Sequence, residues 1–147
     1  MEFKGKVALV TGAGTGNGEA IAARLHAGGA CVALVSRRLE QVESVSRSID
    51  PEGARTVALE ADVRDPKAME GAVRRTLERF GELDLAVNNA GITGPAGVPV
   101  QDLEAEIWRE VIDTDLTGIF YSMKYEIPAM LANGSGAIVN MSSANGL

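Results

Sequence analysis

Histidine and cysteine are nearly missing from this chain: its 147 residues carry one of each, His26 and Cys31. That pair gives no metal-ligand cluster, and Cys31 has no partner for an internal disulfide. In an apolar stretch Cys31 reads as a small buried hydrophobe, and a reducing, cytoplasmic setting is the simplest assumption. A Ser-His-Asp triad would have to use His26, which lies on a helix-like stretch and reads as a surface residue. Positive charge is also scarce: 14 Lys and Arg stand against 20 Asp and Glu, for a net charge of −6 and a pI near 4.8. Such a balance argues against a nucleic-acid surface. No apolar run approaches the ~20 residues of a membrane helix, and Met1 to Lys6 hold no secretory core. What remains is the composition of a soluble domain, 46% hydrophobic and 23% charged.

Short apolar runs recur at Val7–Thr11, Cys31–Ser36, Thr56–Glu60, Leu83–Asn88 and Ala137–Met141. Each is nearly continuous rather than alternating, as expected of parallel strands covered on both faces. Helical spacing fills the gaps: Ile21 and Leu25; Leu39, Val42, Val45 and Ile49; Met69, Val73, Leu77 and Phe80. A longer fourth segment runs from Ile107 through Trp108, Leu116, Ile119 and Phe120 to Met123. Trp108 and the methionines at helical spacing read as core. Asp65 before Pro66 predicts a helix start, Asp102 predicts another, and Gly28-Gly29 and Asn133-Gly134 predict helix ends. Alternating strands and helices of these lengths predict an α/β doubly wound parallel sheet, with five strands in the order 3-2-1-4-5.

The most informative run is Thr11-Gly12-Ala13-Gly14-Thr15-Gly16-Asn17-Gly18, between the first strand and a helix-like stretch from Glu19 to Ala27. Strand, glycine turn and helix together aim backbone N–H groups and the positive end of a helix dipole at a phosphate. G-x-G-x-x-G fails because Asn17 stands where its last glycine belongs, and no Gly-Lys-Ser/Thr of a P-loop occurs. T-G-x-x-x-G-x-G fits, with Gly12 for the tight turn, Gly16 for close approach to a pyrophosphate and Gly18 for helix–strand packing.

The second strand ends at Ser36-Arg37-Arg38, where a site for NAD would carry an acid for the ribose 2′-OH. A guanidinium there suits a 2′-phosphate, which favours NADP(H) over NAD(H). Asp62-Val63 follows the third strand at its ligand-binding edge. Asn88-Asn89-Ala90-Gly91 follows the fourth, and consecutive amides there are costly to bury without hydrogen bonds. Asp115 falls on the apolar stripe of the long helix, so it should be paired, protonated or beside a wet cleft. Ser142 and Ser143 end the fifth strand; taken alone, they would be a turn.

The glycine run, the Asn-Asn-Ala-Gly run and the strand ending at Ser143 resemble the short-chain dehydrogenase/reductase family along the whole chain. The resemblance implies a Rossmann-type NAD(P)-binding domain over residues 1–147, with helices on both faces. It implies hydride transfer between the cofactor and a small alcohol or carbonyl substrate. The implied cofactor residues are Gly12, Thr15, Gly16, Asn17 and Gly18 on the turn; Ser36, Arg37 and Arg38; Asp62 and Val63 at the adenine; and Asn89, Ala90 and Gly91 as floor. Ser143 would hold the substrate oxygen, with Ser142 the weaker candidate. Asp115 replaces the usual asparagine of a proton relay. The family's Tyr-x-x-x-Lys is missing: Tyr121 is followed at that offset by Tyr125, and Tyr125 by Ala129. The chain therefore reads as the N-terminal part of a longer, homo-oligomeric enzyme. A non-catalytic cofactor-binding module and a fragment without independent function are the alternatives.

Overall fold

The computed structural model describes residues 2–143. Among them, β1 (Val7–Thr11), β2 (Cys31–Ser36), β3 (Thr56–Glu60), β4 (Leu85–Asn88) and β5 (Ala137–Asn140) form one sheet in the order β3-β2-β1-β4-β5. Every pairing is parallel. This is the expected Rossmann-like arrangement. The first three strands have the expected bounds; β4 begins two residues later than the apolar run, at Leu85, and β5 ends one residue earlier, at Asn140.

Helices α1 (Gly16–Ala27), α2 (Leu39–Ile49) and α3 (Pro66–Phe80) alternate with the strands. Alternate side chains of each central strand serve opposite faces. Ala8, Val10, Val32 and Leu34 pack with Ala22 and Leu25 of α1 and Val42 and Val45 of α2. Leu9, Ala33, Val35 and Leu59 pack on the other face with Met69, Ala72 and Val73 of α3 and with Ala129 and Met130 further along the chain. Each fully buried leucine of this kind contributes roughly 1.5–3 kcal/mol. Asp65 caps α3 as expected, accepting from the Lys67 N–H at 2.8 Å, with Pro66 next to it.

The long fourth segment differs from the expected single helix. It divides into α4 (Ala105–Ile112), a π-helical turn (Asp113–Thr117) and α5 (Gly118–Ala132). Asp102 ends a short 3-10 turn at Val100–Asp102 and does not cap α4, whose N-cap position is Glu104. Trp108 is exposed rather than core, at 57% relative accessibility, because α4 buries none of its residues. Of the methionines at helical spacing, Met69 and Met130 are buried and Met123 is half-buried.

His26 also departs from its surface reading. It is buried at the end of α1, with Nε2 3.9 Å from Asp50 Oδ2. Arg55, arriving just before β3, donates to the His26 and Ala30 carbonyls at 3.0 Å and closes over the helix end. Cys31 is half-buried at the start of β2 rather than enclosed.

Candidate active site

Strand order reverses between β1 and β4, and ligands of doubly wound sheets bind where it does so, outside the carboxyl ends of the strands. A cavity of about 340 Å³ lies there. Its walls include Gly12, Thr15, Gly16 and Asn17 of the glycine turn, Ser36, Arg37 and Arg38 after β2, Asp62 and Val63 after β3, and Asn89, Ala90 and Gly91 after β4. Of the expected cofactor residues only Gly18 is not among them.

Gly18 acts from behind the wall. A Cβ built on it would run into the Gly12 carbonyl and come within 2.6 Å of Asn89 Nδ2. Gly12 itself has φ +65°, and a Cβ there would lie 2.9 Å from the Ala90 Cα. The turn and the Asn89–Ala90 backbone therefore touch directly, and any side chain at either glycine forces them apart. Thr11 completes the joint. Its buried hydroxyl accepts from the Asn89 and Ala90 N–H groups at 3.0 and 3.1 Å, and its carbonyl accepts from Asn89 Nδ2 at 3.1 Å.

Two observations fit a dinucleotide phosphate here. A Cβ on Gly16, at φ +59°, would meet no protein atom within 4 Å, so this glycine leaves the mouth of the cavity clear. The Thr15 side chain makes no capping bond to α1, while the first N–H groups of a helix lack intrahelical acceptors. Those groups remain available to an anion.

At the far wall, Asp62 accepts from the Arg64 backbone N–H at 2.9 Å and from its guanidinium at 2.7–3.1 Å. The hydrogen-bonded Arg64 guanidinium holds the Asp62 carboxyl below the usual carboxylate range against the opposing effect of burial; the Arg37 charge adds to it. Asp62 is thus a turn aspartate and a cavity residue at once. Arg64 also reaches Glu110 at 3.4 Å, which ties this wall to α4. Gly118 supports the neighbouring residue, since a Cβ on it would lie 2.7 Å from Val63 Cγ2.

A second cavity of about 710 Å³ adjoins the first and shares Asn17, Asn89, Ala90, Gly91 and Ile92 with it. It brings Asp115 and Ser143, 28 positions apart in the chain, onto one wall system together with Ile119, Met141 and Ser142. Asp115 sits within the π-helical turn, half-buried, and its Oδ1 accepts from the Ile92 N–H at 2.9 Å. Of the three situations expected for this acid (paired, protonated or beside a wet cleft), the structure shows a main-chain hydrogen bond and a place on the cavity wall.

Sequence reasoning missed Gln41 and Thr114, which line the first cavity. It also missed the bonding role of Thr11, and Glu126, which is fully buried on α5 and accepts from Asn88 Nδ2 at 3.1 Å. Spacing could have found Glu126: it lies seven residues after Ile119 and three before Ala129, on the same stripe that flagged Asp115.

The model of the short chain dehydrogenase family matches residues 6–147. Cyclohexanol dehydrogenase of Acinetobacter sp. (strain SE19) is 44% identical over 146 residues, covering 99% of this chain and 58% of that protein. The 3beta-hydroxysteroid dehydrogenase of Mediterraneibacter gnavus is 39% identical over 99% of this chain and 52% of its own length. Among solved structures, NAD+-bound xylitol dehydrogenase superposes with a TM-score of 0.94 at 36% identity, covering 99% of this chain and 56% of that one. A 3-ketoacyl-ACP reductase from Sinorhizobium meliloti 1021 gives 0.90 at 44% identity, over 95% and 55%. The chain thus spans a little over half the length of each of these four proteins. With the glycine turn and Asn89 to Gly91 on one cavity at the point where the strand order reverses, it belongs to the short chain dehydrogenase family.

Proposed function

We propose that the protein is an NADP(H)-dependent oxidoreductase acting between a small alcohol and the corresponding carbonyl compound. The observation that carries the reading is the contact between the two cavities: candidate cofactor residues line the first, and Asp115 and Ser143 line the second. When bound, the nicotinamide supplies or accepts hydride. The protein's share is orientation. Gly12, Gly16 and the first N–H groups of α1 hold the pyrophosphate, Asp62 and Val63 flank the adenine, and Asn89 to Gly91 form the floor. Arg37, aided by Ser36 and Arg38, takes the 2′-phosphate through charge-assisted bonds.

In the second cavity the Ser143 hydroxyl donates to the substrate oxygen and keeps the carbon within reach of the cofactor. Asp115 keeps the Ile92 loop in place beside it. Proton transfer requires a further general acid, and the family's Tyr-x-x-x-Lys does not occur in residues 1–147. A general acid of this kind typically contributes roughly 10²–10⁴-fold in rate. The names of the relatives, cyclohexanol and cis-4-hydroxycyclohexanecarboxylate dehydrogenases among them, support an alcohol on a carbocyclic ring as a first substrate to try. The protein is further read as cytoplasmic and homo-oligomeric.

The test is a panel of cyclic and open-chain secondary alcohols and their ketones, followed by absorbance of the reduced nicotinamide. NADP(H)-linked turnover that Ser143→Ala abolishes supports the reading. Cofactor binding without turnover on any substrate in the protein carrying these residues would turn it to a binding module.

A further inference from the structure

One residue before Asn89 and Met141 of the second cavity stand Asn88 and Asn140, which form a polar chain with Glu126 of α5. Register puts Asn88 directly opposite Asn140, and the Met141 N–H donates to the Asn88 carbonyl at 3.0 Å. Asn88 Nδ2 donates to Glu126 Oε2 at 3.1 Å and to Asn140 Oδ1 at 3.0 Å. Asn140 in turn directs its own Nδ2 at Met123 Sδ, 3.4 Å away. Both amide hydrogens of Asn88 are therefore used, which fixes the orientation of that amide. Glu126 and Asn88 are 0% and 1% exposed.

We propose that Glu126 is a positioning residue: through Asn88 it fixes Asn140 and so sets the path on which Met141, Ser142 and Ser143 leave β5. The proposal rests on the reading of Ser143 as the residue that holds the substrate oxygen.

Three observations support it. Ser143 lies only three residues beyond Asn140, so a displacement of Asn140 reaches it with little slack. A carboxyl group is a costly way to fill a fully buried helix position, and an apolar side chain of similar volume would serve packing as well or better. The carboxyl adds a directional link to the strand ends that leucine cannot make. The last observation concerns hydrogen-bond accounting among the described residues. Glu126 Oε1 and Asn88 Oδ1 are both buried oxygen atoms with no donor. Burial pushes the Glu126 acid up to about 7. Its neutral form adds one O–H donor to a site with two unpartnered acceptor oxygens.

The experiment compares the wild-type chain with Glu126→Gln, Glu126→Leu and Asn140→Ala by amide NMR, with NADPH titrated into each. Glutamine keeps an acceptor and restores a donor, so it should leave the Asn140 side-chain amide and the Met141–Ser143 signals near their wild-type positions. Leucine should move both sets while leaving the signals of β1 and β2 in place. Asn140 is exposed, so Asn140→Ala keeps the protein folded; it should move the Met141–Ser143 signals by itself. Folded leucine and alanine variants with unmoved Met141–Ser143 signals would overturn the proposal, as would a glutamine variant that behaves like leucine. NADPH binding retained in the wild type would then leave the reading of the site standing. Absence of NADPH binding in the wild type would overturn that reading and this proposal with it.

Discussion

The Asp115 carboxylate accepts the Ile92 N–H at 2.9 Å and so fastens the loop after Gly91 to the π-helical turn. A π-helical turn widens the helix locally and recurs at functional sites; here it presents Asp115 to the cavity wall. The oxygen of an asparagine side chain can accept the same bond. Asp115→Asn should therefore hold the melting temperature and NADPH affinity close to the wild type. Asp115→Ala strands a main-chain donor and should cost roughly 1–3 kcal/mol. Thermal melts of both variants check this; equal damage by both would show that the negative charge matters beyond the hydrogen bond.

Gly18 and Gly71 form a contrasting pair. Backbone stands where a Gly18 Cβ would go, whereas a Cβ on Gly71 meets nothing within 4 Å. Gly18→Ala should destabilise by about 1–3 kcal/mol and weaken NADPH binding, because the turn and the Asn89 floor must separate. Gly71→Ala in α3 should be neutral or stabilise by roughly 0.5–1 kcal/mol. Denaturant unfolding of the two variants gives both values.

Glu126 makes a prediction about pH. Its acid rises from 4.5 unfolded to about 7 folded because burial disfavours the anion. The folded state thus binds the extra proton between those values. The contribution is fully present below about 4.5 and is lost as pH rises through about 7. At about 1.4 kcal/mol per unit the loss is on the order of 3 kcal/mol. His26 acts in the other direction: burial, with the Arg55 charge, holds it below its ordinary value, so its stabilising neutral state is lost as pH falls. The difference between wild type and Glu126→Gln isolates the glutamate. That difference should shift against the wild type from pH 5 to pH 8 in chemical unfolding; a constant difference would contradict it.

Arg37 is proposed to set cofactor choice. Arg37→Asp should weaken NADPH binding by about 10- to 100-fold through loss of charge-assisted bonds, and NADH binding far less. Parallel titrations with the two nucleotides measure it. Equal losses would mean that Arg37 does not read the 2′-phosphate.

The sheet was legible because parallel strands covered on both faces are continuously apolar; the runs around Val10, Leu34 and Leu59 could hardly be anything else. The first cavity was legible because its glycines, amides and Arg37 all follow strand ends. Contacts made at long range were not. His26 looked exposed because helix spacing knows nothing of Arg55, 29 residues later, which covers it. Trp108 looked buried because it shares an apolar stripe with residues that turn inward only beyond the π-helical turn. That turn has no local signature, since the Asp115–Ile92 bond spans 23 residues. Glu126 was within reach of the same stripe spacing that marked Asp115, but its bond to Asn88 on β4 spans 38 residues and has no local signal.

If the cavity over β1 and β4 holds a dinucleotide, an NADPH titration followed by amide NMR and thermal melting shows it. Saturable shifts are expected at Gly12 to Gly18, Arg37, Asp62, Val63 and Asn89 to Gly91. The melting temperature should rise as well, by an amount worth about 2.7 kcal/mol when NADPH stands at 100 times its Kd. An unchanged melting temperature with no shift at these residues at saturating NADPH and NADH would contradict it.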